Sequence, residues 1–118
     1  MKKVGIIGCG GIAQVHGWVL QNMENAELAA VCDVEKEKAE ALSKRYGGGA
    51  AQVYTDWHML CESDAEVVHI CTPHFLHAPM ATELLRHGKS VFTTLYLYRA
   101  VRIYTLKIRM NSHLKFVI

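Results

Sequence analysis

Two hydrophobic rhythms alternate along the first 92 residues. Short apolar runs at Val4 to Ile7, Leu28 to Cys32, Gln52 to Tyr54, Glu66 to Cys71 and Ser90 to Phe92 predict five strands. The run from Glu66 is apolar enough to predict burial on both faces. Between the runs, apolar residues fall three or four apart. Ile12, Val15, Val19 and Met23 share one face of a helix over Gly11 to Met23, the stripe expected to lie on a sheet, with His16 and Trp18 beside it. Ala39, Leu42 and Tyr46 do the same for a helix over Glu35 to Tyr46, which Gly47-Gly48-Gly49 ends. A short helix follows over Asp56 to Cys61, with Thr55 or Asp56 as its cap. Leu76, Met80 and Leu84, with Ala81 and Leu85, mark a last helix that Gly88 stops. Strands alternating with helices predict the α/β class with a doubly wound parallel sheet.

The first strand breaks at Gly8-Cys9-Gly10-Gly11-Ile12-Ala13. Gly8 permits a tight turn, Gly10 lets a ligand approach the backbone, and Ala13 lets the helix pack closely on the strand. The N–H groups that open the helix then supply an anion site without any basic side chain. Methyltransferases and ordinary strand-to-helix turns produce similar triplets, so the context matters. The second apolar run ends in Asp33, twenty residues after Ala13, where a carboxylate would accept hydrogen bonds from a ribose diol. The plainer role for Asp33 is to cap the following helix.

At Thr72-Pro73 the fourth run ends, because the residue before a proline leaves the helical region. The chain therefore turns beside the place where it left the first strand, the crevice at the switch point of a doubly wound sheet. His74 and His77 follow, three apart, and no third metal ligand lies near them in sequence, so no metal is expected.

Composition adds less. The 118 residues are enough for one domain, and the start is too short in apolar residues for a signal peptide. With no membrane span in sight, a cytoplasmic location is expected. Cys9, Cys32, Cys61 and Cys71 form no C-x-x-C pair and read as buried free thiols, which suits a reducing compartment. Residues 1–92 carry 8 Lys/Arg against 11 Asp/Glu, whereas residues 93–118 carry 5 against none. Such a basic tail supports only weak, salt-sensitive phosphate contact, so no nucleic-acid partner is expected.

Taken together, Val4-Gly5-Ile6-Ile7-Gly8-Cys9-Gly10-Gly11-Ile12-Ala13, the acid at 33, Tyr54-Thr55-Asp56, Cys71-Thr72-Pro73-His74-Phe75-Leu76-His77 and His87-Gly88-Lys89-Ser90-Val91-Phe92 resemble the N-terminal half of the glucose-fructose oxidoreductase and inositol dehydrogenase (Gfo/Idh/MocA) family. The resemblance covers residues 2 to 92. It implies a Rossmann-type domain binding NAD, with NADP the lesser alternative, and hydride transfer at the CH–OH carbon of a sugar, polyol or related compound. Candidate cofactor contacts are Gly8, Cys9, Gly10, Gly11, Ile12, Asp33, Cys71, Thr72, Pro73, His74 and His77.

After the fifth strand the family continues with Glu-Lys-Pro, whose lysine is thought to help move the hydroxyl proton, and later with a substrate domain. Here Phe92 is followed by Thr93-Thr94-Leu95-Tyr96-Leu97-Tyr98, and Glu-Lys-Pro occurs nowhere. The expectation is a truncated Rossmann-type fold: residues 1–92 as the dinucleotide domain and 93–118 as a basic tail outside the family pattern. The fifth strand would run to about Tyr98, with the rest undecided. No catalytic residue is assigned, since nothing fixes Lys107 or Lys115 near a nicotinamide. A non-catalytic dinucleotide-binding or sensing module, and a methyltransferase-like domain, are the alternatives; Thr72-Pro73 with His77 argues against the second. Without a covering domain, a bare sheet edge and apolar face predict self-association through that edge or the tail.

The family pattern and the charge balance break within two residues of each other, as a shift of reading frame would make them do. An alternative frame downstream of codon 92 is expected to encode Glu-Lys-Pro and a further α/β pattern. Translating the coding DNA in all three frames checks this, and its absence from both alternative frames refutes it.

Overall fold

The computed structural model describes residues 2–73, 76–93 and 116–117. In chain order they form β1 (Lys2–Ile7), α1 (Gly11–Gln21), β2 (Ala26–Cys32), α2 (Lys36–Tyr46), β3 (Gln52–Tyr54), a 3₁₀ helix (Trp57–Glu62), β4 (Val67–Ile70), α3 (His77–Arg86), β5 (Ser90–Phe92) and β6 (Phe116–Val117). All strand pairs are parallel, and the sheet runs β3-β2-β1-β4-β5-β6. This is the doubly wound, Rossmann-type α/β arrangement.

From β1 the chain winds outward one way through β2 and β3, then returns to β4 and winds the other way. Right-handed crossovers therefore put α1 and α2 on one face and α3 on the other. Successive residues of a strand point to opposite faces, so Ile6 packs with Val31, Ala39 and Leu42 beneath α1 and α2. Ile7 packs with Val68, Ile70, Leu84 and Leu85 beneath the 3₁₀ helix and α3. Each of these side chains is at most 2 % exposed. At roughly 1.5–3 kcal/mol for each large side chain buried, the two layers supply the main favourable term in folding.

The helix boundaries follow local chemistry. Gly48 and Gly49 beyond α2 take φ of 61° and 78°, and Gly49 N–H donates to the Ser43 carbonyl at 3.0 Å, a left-handed ending open to glycine at little cost. Asp56 caps the 3₁₀ helix, accepting the His58 N–H at 3.0 Å.

Two expectations are corrected. The stripe Ile12, Val15, Val19, Met23 does not lie on the sheet: these residues are 37 %, 55 %, 44 % and 44 % exposed. The buried face of α1 is Ala13, Gly17 and Leu20. Small residues win because they allow close approach; a Cβ at Gly17 would stand 2.4 Å from the Tyr46 ring of α2. Second, β4 is fully buried on one face only, since Val67 and His69 are half-buried on the α1 side. The described part of β5 ends at Phe92, and the expected continuation to Tyr98, like Lys107 and Lys115, lies outside the described residues. β6, which sequence did not foresee, pairs Val91 with Phe116 and Phe92 with Val117. Among the described residues no helix is long and apolar enough to cross a membrane.

Candidate dinucleotide site

At the carboxyl ends of β1, β2 and β4 lies a cavity of about 540 Å³. Its floor is the turn after β1. Gly8 has φ of +88°, and a Cβ there would meet the Cys71 carbonyl carbon and the Thr72 nitrogen at 2.8 and 2.9 Å. The turn is wedged against backbone that cannot yield, so only glycine fits. It is tied on both sides: Gly8 N–H donates to the Cys32 carbonyl at 2.8 Å, and Cys71 N–H to the Ile7 carbonyl at 2.7 Å.

Gly10 opens α1 with no side-chain cap, and the first turn holds no acidic residue. The first N–H groups of α1 thus lack a capping side chain and stand at the positive end of the helix dipole. A Cβ at Gly10 or Gly11 would meet nothing within 4 Å, so the backbone is open to a ligand there.

Asp33 stands where β2 ends. One carboxylate oxygen accepts the Cys9 N–H at 2.8 Å and the other the Glu35 N–H at 2.9 Å. Glu35, not Asp33, occupies the N-cap position of α2. The carboxylate is therefore fixed between the glycine loop and the helix start, with a lone pair on each oxygen left for further donors.

Of the sequence-predicted contacts, the fold brings Gly8, Gly10, Asp33, Cys71, Thr72 and Pro73 to this cavity. Gly11 and Ile12 are exposed on the first turn of α1, outside the cavity wall. Two candidates turn inward. Cys9 is buried, its thiol donating to the Cys32 carbonyl at 3.4 Å. His77 is also buried and is absent from the lining. His74 lies outside the described residues.

Sequence reasoning missed Lys38 and Trp57, both on the cavity wall beside Asp33. Lys38 pairs with Glu35 at 2.7 Å. Its signal was the three-residue spacing from Glu35, which puts both on one side of a helix turn. Trp57 lies in the short helix predicted over Asp56 to Cys61, directly after its cap.

A second hollow of about 430 Å³ lies away from the loop, between α1 and the face of the sheet at β1, β4 and β5. On its wall the His16 and His69 Nδ1 atoms are 2.8 Å apart, and His69 stacks on Phe92. Burial lowers both imidazoles, His69 to about 4, so they share one N–H as a neutral pair. Among the described residues no group of three or more His, Cys, Asp or Glu could hold a metal ion.

The family profile described as an oxidoreductase family with NAD-binding Rossmann fold matches residues 2–94. Glucose-6-phosphate 3-dehydrogenase of Bacillus subtilis is 36% identical over 91 residues, covering 77% of this chain and 25% of that protein. Inositol 2-dehydrogenase of Rhizobium meliloti is 33% identical over 90 residues, covering 76% and 26%. The crystal structure of myo-inositol dehydrogenase from Lactobacillus casei in complex with NAD(H) and myo-inositol superposes with a TM-score of 0.84 at 28% identity, covering 95% of this chain and 34% of that one. The chain thus spans about a quarter of the length of these curated relatives.

The four cysteines are free, and three of them ring the loop turn. Burial pushes the thiols of Cys9, Cys32 and Cys71 from an ordinary 9.0 up to about 12; the carboxylate of Asp33 adds to the rise for the first two, and Cys9 for Cys71. Unfolded thiols ionise first as pH rises, so the stability held by these groups is full below pH 9 and is lost between 9 and 12. The denaturant midpoint is expected to fall above pH 9, and to fall less in Cys32→Ala. Equal alkaline losses in the two proteins refute the assignment.

Proposed function

This chain belongs to the Gfo/Idh/MocA oxidoreductase family, and on that premise we propose that its cavity holds NAD, as the cofactor-binding part of an enzyme acting on the CH–OH group of a sugar or polyol. The observation that carries the reading is the convergence of an uncapped helix start, a backbone-wedged glycine turn and an anchored carboxylate on one cavity. The α1 N–H groups at Gly10 and Gly11 would take the pyrophosphate, and Asp33 a ribose diol. The Thr72–Pro73 turn would wall the other half. NAD supplies the hydride acceptor; this chain's residues bind it, orient it and keep water from the loop. Residues 1–92 would be the dinucleotide-binding unit and 93–118 a basic segment outside the family pattern. Four free thiols, three of them buried, support a reducing, cytoplasmic setting.

NAD is favoured over NADP by charge. Asp33 lines the cavity where a 2′-phosphate would arrive, Glu35 lies two residues on, and Lys38, the one cation on the wall among the described residues, is already paired with Glu35. Calorimetry is expected to show NADH binding tighter than NADPH by about tenfold or more, the scale of an unbalanced charge. Asp33→Ala should weaken NADH and narrow that gap; equal affinities in the parent chain refute the reading.

The sequence offers no Glu-Lys-Pro lysine after Phe92. A positioned acid–base group contributes about 10²- to 10⁴-fold to such a step. This chain alone is therefore expected to hold NAD without turning over sugars, inositols or hydroxy acids, followed as absorbance at 340 nm. Robust turnover by the pure chain would overturn that.

A further inference from the structure

His77 opens α3, yet its ring is 6 % exposed and forms no part of the cavity wall. Both ring nitrogens are engaged. Nε2 lies 2.6 Å from the Thr72 carbonyl oxygen, and Nδ1 bonds the hydroxyl of Thr93. Thr72 belongs to the turn that ends β4; Thr93, 1 % exposed, is the first residue beyond β5. One imidazole thus spans the carboxyl ends of two adjacent parallel strands, behind the turn that walls the cavity. A carbonyl oxygen can only accept, so Nε2 carries the proton. The neutral ring's Nδ1 then accepts from the Thr93 hydroxyl.

The turn needs such a support. Gly8 is wedged against the Cys71 carbonyl and the Thr72 nitrogen, which pins the near end of the turn, whereas the Thr72 carbonyl on its far side is not touched by Gly8. The Thr72 hydroxyl is turned away, toward the Met80 sulfur at 3.7 Å. Pro73 has no N–H to offer. The Thr72 carbonyl is held by the ring of His77, and the ring in turn is fixed by Thr93.

We propose that His77 is a positioning residue for the nicotinamide half of the dinucleotide: it sets the Thr72–Pro73 turn through the Thr72 carbonyl, and it touches no ligand itself. The proposal rests on the dinucleotide reading of the cavity. A dinucleotide laid across the switch point with one ribose at Asp33 extends its other half over β4. ADP, which stops at the pyrophosphate, does not reach the Thr72–Pro73 turn. Loss of the His77 bridge therefore weakens NADH and spares ADP. A residue that merely stabilised the fold would weaken both alike.

The test is calorimetry of the 118-residue chain with NADH and with ADP. His77→Leu is expected to weaken NADH about tenfold, the scale of one buried hydrogen bond left unmade, and ADP less than about twofold. His77→Gln keeps an amide N–H for the Thr72 carbonyl and is expected to recover NADH affinity to within about threefold of the parent. Should His77→Leu fail to fold, Thr93→Val removes only the hydroxyl partner, and a loss of about two- to fivefold for NADH, with ADP unchanged, is expected. Parallel losses for NADH and ADP, or no loss in any variant, overturn the positioning role. A parent chain that binds neither ligand overturns the dinucleotide reading, and with it the nicotinamide assignment. The bridge itself is read separately by ¹⁵N resonances of the ring: the Nε2–H tautomer is expected, and Nδ1–H overturns the geometry whatever the ligands do.

Discussion

The contact between the Gly8 turn and the backbone at Cys71 and Thr72 constrains everything around the cavity. It is where the sheet changes winding direction, so β1 must leave its turn in the space that β4 leaves for its own. With 2.8–2.9 Å available to a Cβ and φ at +88°, no side chain can stand there. Because the two turns touch, the start of α1, the end of β2 and the start of α3 are placed relative to a single point. The uncapped N–H groups of α1, the Asp33 carboxylate and the Thr72–Pro73 wall inherit their mutual geometry from it.

Features set by residues close in sequence could be read from sequence. The glycine turn, Asp33 at the end of an apolar run, Thr72-Pro73 as a stop, and Gly88 ending α3 all act through backbone geometry within a few residues, which residue type reports directly. Asp33 shows the limit of that reading. Its place was legible, but the Cys9 N–H that holds it lies 24 residues away and only the β1–β2 pairing brings it near. Lys38 entered the cavity for the same reason, carried there by the first turn of α2.

The face of α1 was misread on size. Periodicity weights large apolar residues, and Val15, Val19 and Met23 carry more of that weight than Ala13 and Gly17. Packing weighs distance instead: a helix crossing between two strands of a parallel sheet comes close where its residues are small. The larger side chains then border the hollow beside His69 and Phe92. His77, a candidate contact by resemblance, is buried and absent from the cavity lining. Its spacing from Pro73 was informative, but a histidine near a ligand crevice invites a direct contact, and only burial with both nitrogens engaged shows the ring facing inward.

The central position of β1 sets an order of events in folding. Its pairing with β2 closes a loop of some two dozen residues, Lys2 against Ala26, whereas its pairing with β4 joins Val4 to Val67. On a ribosome the first pair can form early, leaving the other edge of β1 open until β4 emerges. Non-local parallel pairing of this kind is slow, and an open apolar strand is vulnerable meanwhile. The Lys3 N–H, which donates to the Glu66 carboxylate at 3.0 Å, cannot make that bond until the fourth strand arrives. The half-built state, β1 through β3 with two helices on one face, is thus the species a chaperone would meet.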